Sequence, residues 1–454
     1  MKDFTQGNPT RQIIAFSLPM LIGNLFQQFY NMVDAIVVGR YVSGEALAAV
    51  GTSGGVLNFM LAILAGLTTG ASVLISQFYG ARQEENLRRT VSTSIITLGT
   101  IGAVISVIGI LIMPTLMRLL HVPADIFADA VLYMRIIMGG MIFAMTYNLF
   151  LAYLRALGDT VRPLYILILS TMLNIVLDLF FVVRLHMGVA GVAIATLISQ
   201  AVAGIVTYLY VVYRVPILKV EKLIFDKILF RQFLRYSIPA SVQMSLTSLA
   251  NLTILRLVNS FGSVVVAGYT AAIKIDQLVM LPISNLSMAI STFCAQNMGA
   301  GSEDRAKKGL RSGNLIMVTV ALTLSAVLLI INQSLIAQFV DETARNSTEI
   351  ILIGGSYLSI TSCFYFLFAI FFAFNGFFRG VGDAVIVMIL TITSLSIRTV
   401  CAHLMVHMGG MGVEAVAWSI PIGWGLCSLF CVFYYKNRLW AGKSAVKPQP
   451  VASS

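Results

Sequence analysis

Two carboxylates stand inside long apolar stretches of this chain, Asp34 in QQFYNMVDAIVVG (27–39) and Asp178 in LNIVLDLFFV (173–182). Gln27, Tyr30 and Asn31 precede Asp34 by seven, four and three residues, so a helix lines all four along one face. Asn174 precedes Asp178 by four and shares its face. Thr196 lies inside a third apolar stretch. Two carboxylates with an amide and a hydroxyl supply oxygen donors that suit a hard cation such as Na⁺, or a proton shared between acids. Two neighbouring carboxylates in a low-dielectric setting do not readily both ionise, so they titrate as a pair and can act as a switch. A charge at mid-membrane costs about 2.5–3.5 kcal/mol on insertion scales, and acids kept there in spite of that are expected to serve a function.

The elements that position these residues follow from composition. The chain has 454 residues, of which 58% are hydrophobic and 11% charged, with a mean hydropathy of +0.89. That is the composition of an integral membrane protein, not of a soluble globular one. A helical span takes about 20 apolar residues, and twelve runs qualify: 13–39, 46–76, 90–113, 128–154, 163–185, 188–213, 231–259, 264–297, 310–332, 350–377, 384–407 and 410–435. The net charge of +11 resides in short loops and not along one helix face, so it speaks for topology and not for nucleic acid. Lys and Arg gather on the side that holds both ends of the chain, and the positive-inside rule makes that side cytoplasmic. A multi-pass protein of the cell (inner) membrane is expected, surrounded by lipid and monomeric. In that orientation Asp34 lies about five residues from the outer end of its span, roughly 7–8 Å in by helical rise. Asp178 and Thr196 reach similar depths in spans five and six, so the polar groups of three helices are expected to meet.

The chain also repeats itself. SLPM at 17 aligns with SIPA at 237, QFYGA at 77 with QNMGA at 296, LRALGD at 154 with FRGVGD at 378, and HMGVAGV at 186 with HMGGMGV at 407. Six spans separate the members of each pair, so the halves run in the same orientation. The sequence therefore predicts an all-α fold of two pseudo-symmetric six-helix bundles around a central cavity, a transporter pattern. The expected parts are an N-terminal bundle over 1–215, a linker over 216–230, a C-terminal bundle over 231–436 and a tail over 437–454.

These motifs, in this order and spacing, resemble the multidrug and toxic compound extrusion (MATE) family, in its bacterial DinF-like branch, over nearly the whole chain. The NorM-like branch carries acids in its seventh and tenth spans, where this chain has positions near Thr247 and Phe368. The resemblance implies a secondary active antiporter that exports amphipathic or cationic organic compounds in exchange for H⁺ or Na⁺. It also implies that Asp34, Asn174, Asp178 and Thr196 match the cation site of the first half. No further cofactor and no enzyme activity are expected.

The second half differs in kind. Its charges within spans are Arg256, Lys274, Asp276 and Arg398. Lys274 and Asp276 are expected either to pair with residues of neighbouring helices or to serve the cavity or its gating, as are Gln27, Tyr30 and Asn31 in the first half. Arg155 and Arg379, in the LRALGD and FRGVGD turns, are expected to be helix-end charges at structural hinges. The alternative reading of the whole chain is a flippase for lipid-linked saccharides or cell-wall precursors, which would need interior cations to hold pyrophosphate. The chain has no Walker A loop and no soluble domain, so ATP is not expected to drive it.

Overall fold

The computed structural model describes residues 2–340 and 346–446, and every regular element in them is helical. In chain order the helices are α1 (Pro9–Tyr41), α2 (Gly44–Gly80), α3 (Glu84–Leu119), α4 (Ala124–Gly139), α5 (Met141–Ala156), α6 (Val161–Asp178) and α7 (Gly188–Arg214). They continue as α8 (Lys227–Asn259), α9 (Ser263–Gly299), α10 (Glu303–Ala337), α11 (Ser347–Cys363), α12 (Tyr365–Val381), α13 (Ala384–His407) and α14 (Glu414–Lys436). Among the described residues nine helices are long and apolar enough to cross a membrane, and two bent pairs bring the number to eleven. The twelfth span is α8, whose 33 residues are interrupted by Gln243, Thr247, Asn251 and Arg256.

The spans read as continuous over 128–154 and 350–377 each break in two. α4 and α5 meet at 49° across Gly140, and α11 and α12 at 54° across Phe364. The first run carries one mark of its bend, the Gly139–Gly140 pair, whereas the second carries none at Phe364. The recurrence of the bend at the matching place in both halves shows that the repeat extends to backbone geometry. Span five also changes character, because the helix widens into a π turn over Leu179–Arg184 directly after Asp178.

The chain forms two compact units, one of Leu18–Ser241 with the first residues of the chain, the other of Phe4–Ser17 and Val242–Ser454. The division falls inside α1 and α8, and not in the 216–230 connection. That connection belongs to the first unit, where the Ser92 hydroxyl donates to Ile224 O (2.8 Å) and Asp226 N donates to Thr93 Oγ1 (3.1 Å).

In the first unit α2 packs on α4 and α5, while α7 packs on α4, α5 and α6. The LRALGD turn between α5 and α6 needs Gly158 at φ +79, a left-handed conformation that a side chain would strain. Asp159 then accepts from Val161 N and Arg162 N (3.3 Å each), which caps the start of α6.

The second unit repeats this plan. There α9 packs on α10, α11 and α12, and α13 on α14. Gly382 turns at φ +96, and Asp383 accepts from Ile386 N and from the Tyr434 hydroxyl (2.7 Å). The QNMGAG motif has a structural use in this unit. Gln296 Oε1 accepts from Phe4 N (3.0 Å), while Asn297 Nδ2 and Arg305 Nε donate to Phe4 O (3.1 and 3.0 Å). The buried Phe4 ring packs against Phe16 and Phe293.

The stretch after α14, expected as a tail from residue 437, begins as folded chain, and its part over 447–454 lies outside the described residues. Trp440 is buried edge-on to Phe377, with ring centroids 5.0 Å apart, and stacks on Tyr435. Arg438 pairs with Glu303 at 2.7 Å. Trp440→Ala should therefore destabilise the second unit by roughly 3 kcal/mol through the cavity it leaves, read as a lower melting temperature in detergent. Arg438→Ala, which breaks an exposed pair, should change it by less than about 1 kcal/mol.

Candidate ion-coupling site

The expected meeting of three helices occurs in the first unit, and it gathers four helices. α6 contributes Asn174 and Asp178, both buried. α1 contributes Tyr30 and Asp34, and α7 contributes the buried Thr196. The fourth helix is α4, whose buried Tyr133 lies close enough to act electrostatically with both carboxyls. Nothing in the sequence points to Tyr133, because one tyrosine in an apolar run has no periodic partner to mark it.

The hydrogen bonds form a chain. The Thr196 hydroxyl and the Tyr30 hydroxyl are 3.3 Å apart, and Tyr30 in turn bonds Asp34. The Asn174 amide nitrogen, turned toward the acids, donates to Asp34 Oδ1 (3.0 Å) and Asp178 Oδ2 (3.1 Å). The opposite rotamer would aim the amide oxygen at acceptors only, so the network fixes the orientation. The Asp34 and Asp178 carboxyls lie close enough to act on each other, with the Asn174 amide between them. Two acceptors brought together in this way favour a proton or a small cation between them.

One atom is left over. Asp178 Oδ1 is buried, and among the described residues no donor reaches it. Buried carboxylate oxygens are nearly always satisfied, so an orphan beside a second acid marks a place for a proton or a small hard cation. The residues present fit either ion, since Asp34, Asp178, Asn174 and Thr196 all carry oxygen.

Not every expected residue joins the cluster. Asn31 is exposed and donates to Gln28 Oε1 (3.4 Å), so it does not reach the acids. Gln27 lies farther along α1 and lines a separate cavity with Asn24, Tyr147, Asn148 and Arg155. Arg155, expected as a helix-end charge at a hinge, lies in the last turn of α5 and also lines this cavity.

The second unit has a different polar cluster. Asp276 is buried and accepts from the Tyr365 hydroxyl, with Arg398 near enough to act on it and bonded to Tyr269. This agrees with Asp276 taking partners from neighbouring helices. Lys274 does not follow it. Its ammonium sits 6.0 Å over the Phe339 ring and has no acid partner among the described residues. Two residues of separation place Lys274 and Asp276 on different helix faces, which accounts for the difference. Arg256 is exposed, so the cations of this half do not converge on one buried point as a pyrophosphate site would require.

An all-helical chain of twelve spans, built as two like units with a paired-acid cluster in one of them, defines the class as a multi-pass membrane transporter. The chain belongs to the MatE family, whose model matches it twice, over residues 19–180 and 239–404. It is 28% identical over 447 residues to "Probable multidrug resistance protein YoeA" of Bacillus subtilis, covering 96% of this chain and 95% of that one. It is 26% identical to "Probable multidrug resistance protein NorM" of Thermotoga maritima, covering 90% and 88%. Among solved structures it superposes with a TM-score of 0.89 and 26% identity on a multidrug resistance MATE family transporter of the MOP superfamily in an outward-facing conformation, covering 97% and 98%.

Proposed function

We propose that this protein is a multidrug efflux antiporter of the cell membrane that exports amphipathic or cationic organic compounds in exchange for protons taken up by the Asp34–Asp178 pair. Multidrug resistance and multidrug export are the activities in the names of its relatives, and they match it over most of their length. The observation that carries the coupling is the contact between the two carboxyls, bridged by Asn174, with a buried oxygen of Asp178 left without a donor among the described residues.

H⁺ is the better fit of the two candidate ions. The hydrogen-bond network spends the amide hydrogens of Asn174 on the acids, and the Thr196 hydroxyl is engaged with Tyr30. Na⁺ would call for the other amide orientation of Asn174, which presents its oxygen to the acids. A proton is served by the orientation that donates to both carboxyls. Uptake from outside neutralises the pair and removes the repulsion that keeps two charged acids apart. Release to the cytoplasm restores it, so each state of the pair favours a different packing of α1 against α6 and α7. The basic loops support cytoplasmic termini, and the protein acts as a monomer. Acid-free positions near Thr247 and Phe368 support the DinF-like branch.

The experiment is efflux of a fluorescent organic cation from proteoliposomes under a pH gradient and, separately, under a Na⁺ gradient. Efflux driven by the pH gradient alone is the expected result. Efflux that responds only to Na⁺ would replace the proton with the metal ion at the same residues, and efflux that responds to neither would remove coupling from this cluster.

A further inference from the structure

The connection between α7 and α8 carries a feature that ion coupling does not use. After the short 3₁₀ turn of Pro216–Leu218, residues 219–226 form no regular element. Yet Leu223, Ile224, Phe225 and, in the first turn of α8, Ile228 are 63, 54, 49 and 71% exposed. Between Arg214 and Arg235 the chain also holds six cations, Arg214, Lys219, Lys222, Lys227, Arg231 and Arg235, against Glu221 and Asp226.

Asp226 does not offset those cations. Its carboxylate accepts from Ile228 N (2.9 Å) and Leu229 N (3.1 Å), which caps α8, and it lies 3.8 Å from Arg89 of α3. Glu221 alone is left against six positive side chains, all exposed and none paired with an acid among the described residues.

The depth of the segment is set by α3. The Ser92 hydroxyl donates to Ile224 O (2.8 Å), and Asp226 N donates to Thr93 Oγ1 (3.1 Å). Ser92 and Thr93 stand at the start of the apolar run of 90–113, where α3 enters the hydrocarbon. An irregular backbone cannot lie within hydrocarbon, because its N–H and C=O groups would lack partners. Four neighbouring apolar side chains held open to water are equally out of place. Both conflicts end at the interface, with the backbone at headgroup level, the apolar side chains among the acyl chains and the cations beside the phosphates. Apolar insertion alone accepts any lipid, whereas a cluster of Lys and Arg at one membrane level selects anionic headgroups. We propose that the connection over 219–231 docks on anionic phospholipid, supplied by the leaflet on the basic side of the bundle.

The test uses the full-length protein with Phe225→Trp, reconstituted in vesicles of phosphatidylcholine and phosphatidylglycerol. A spin label on the acyl chain is carried by one lipid or the other at equal mole fraction, and the parent protein supplies the background from Trp418, Trp424 and Trp440. The F225W signal should be quenched at least about threefold more by labelled phosphatidylglycerol than by labelled phosphatidylcholine. Replacing Lys219, Lys222, Lys227 and Arg231 by Gln in the F225W protein should bring that ratio to about one. If this variant does not fold, added salt takes its place, since higher ionic strength should shrink the F225W ratio in the same direction. A signal quenched by neither lipid would put the segment in water or against protein and overturn the proposal. Equal quenching by both lipids would overturn the selection of anionic headgroups, as would a preference that survives loss of the four cations or added salt. The two leaflets of the vesicles share one composition, so the outcome depends neither on which side of the membrane the basic loops face nor on the efflux assay.

Discussion

Asp34→Asn and Asp178→Asn proteins are expected to insert and fold like the parent and to lose gradient-driven efflux down to the level of empty liposomes. Asparagine matches aspartate in shape and can still donate to the remaining carboxyl, so packing at the junction of α1 and α6 persists. What disappears is the titratable pair. A single acid beside an amide can bind a proton, but it no longer has a like charge whose repulsion changes with occupancy, and so nothing couples protonation to packing. Asn174→Leu should be nearly as damaging, because one amide nitrogen bridges both acids at 3.0 and 3.1 Å. Thr196→Val should reduce efflux only in part, since its hydroxyl reaches Tyr30 at 3.3 Å and not the carboxyls. Full parental efflux by either aspartate variant under a pH gradient would refute the coupling role. A binding assay with the same fluorescent cation separates loss of coupling from loss of substrate affinity.

Much of this site is legible in the amino-acid sequence. Aspartate inside an apolar run is expensive, and the four-residue spacing of Asn174 and Asp178 sets them on one face, so depth and periodicity are enough to bring α1, α6 and α7 together. The same reasoning overreaches at Asn31. Its offset of three from Asp34 puts it on the same broad stripe, but the stripe is wider than the cluster, and Asn31 falls on the rim beside Gln28. Tyr133 is hidden for the opposite reason, because its importance comes from the packing of α4 and not from a pattern in its own helix. The bend at Phe364 is equally silent, since hydropathy measures whether a segment prefers lipid and says nothing about its straightness, while the bend at Gly140 is written only in the Gly139–Gly140 pair. Arg155 has a reasonable local explanation as a helix-end charge, which conceals that it also lines a pocket with Gln27 and Tyr147. The repeat is legible because it is written in turn chemistry. Gly158 with Asp159 and Gly382 with Asp383 perform the same left-handed turn and the same helix cap in the two halves.

Gly70→Val should prevent folding of the first unit, or lower its stability by at least about 3 kcal/mol, the upper range for overpacking a site that cannot relax. α2 and the first half of α8 approach so closely that a Cβ built on Gly70 would fall on the Ser237 hydroxyl and stand 2.7 Å from Ser237 N and 2.8 Å from its Cα. Gly66 meets the backbone of Ser241 in the same way one turn earlier on α2. The approach is sealed by hydrogen bonds from the Ser237 hydroxyl to Leu67 O (3.0 Å) and from the Ser241 hydroxyl to Ile63 O (3.1 Å). Small residues and interhelical hydroxyl bonds are the means by which helices associate in lipid, where burial of apolar surface gives no preference for one partner over another. A double variant tests whether backbone or side chain sets the limit. Ser237→Gly removes the hydroxyl but leaves the N and Cα, so it should not rescue even Gly70→Ala. Rescue would place the limit in the side chain and refute the close-approach account. Gly54→Ala is the control, because a Cβ there meets nothing within 4 Å, and the gain in helix propensity should leave stability equal or higher by up to about 1 kcal/mol. The contact also explains where the chain changes unit. Ser241 is the last residue of α8 that belongs to the first unit, and it is also the last of the two serines fastened to α2.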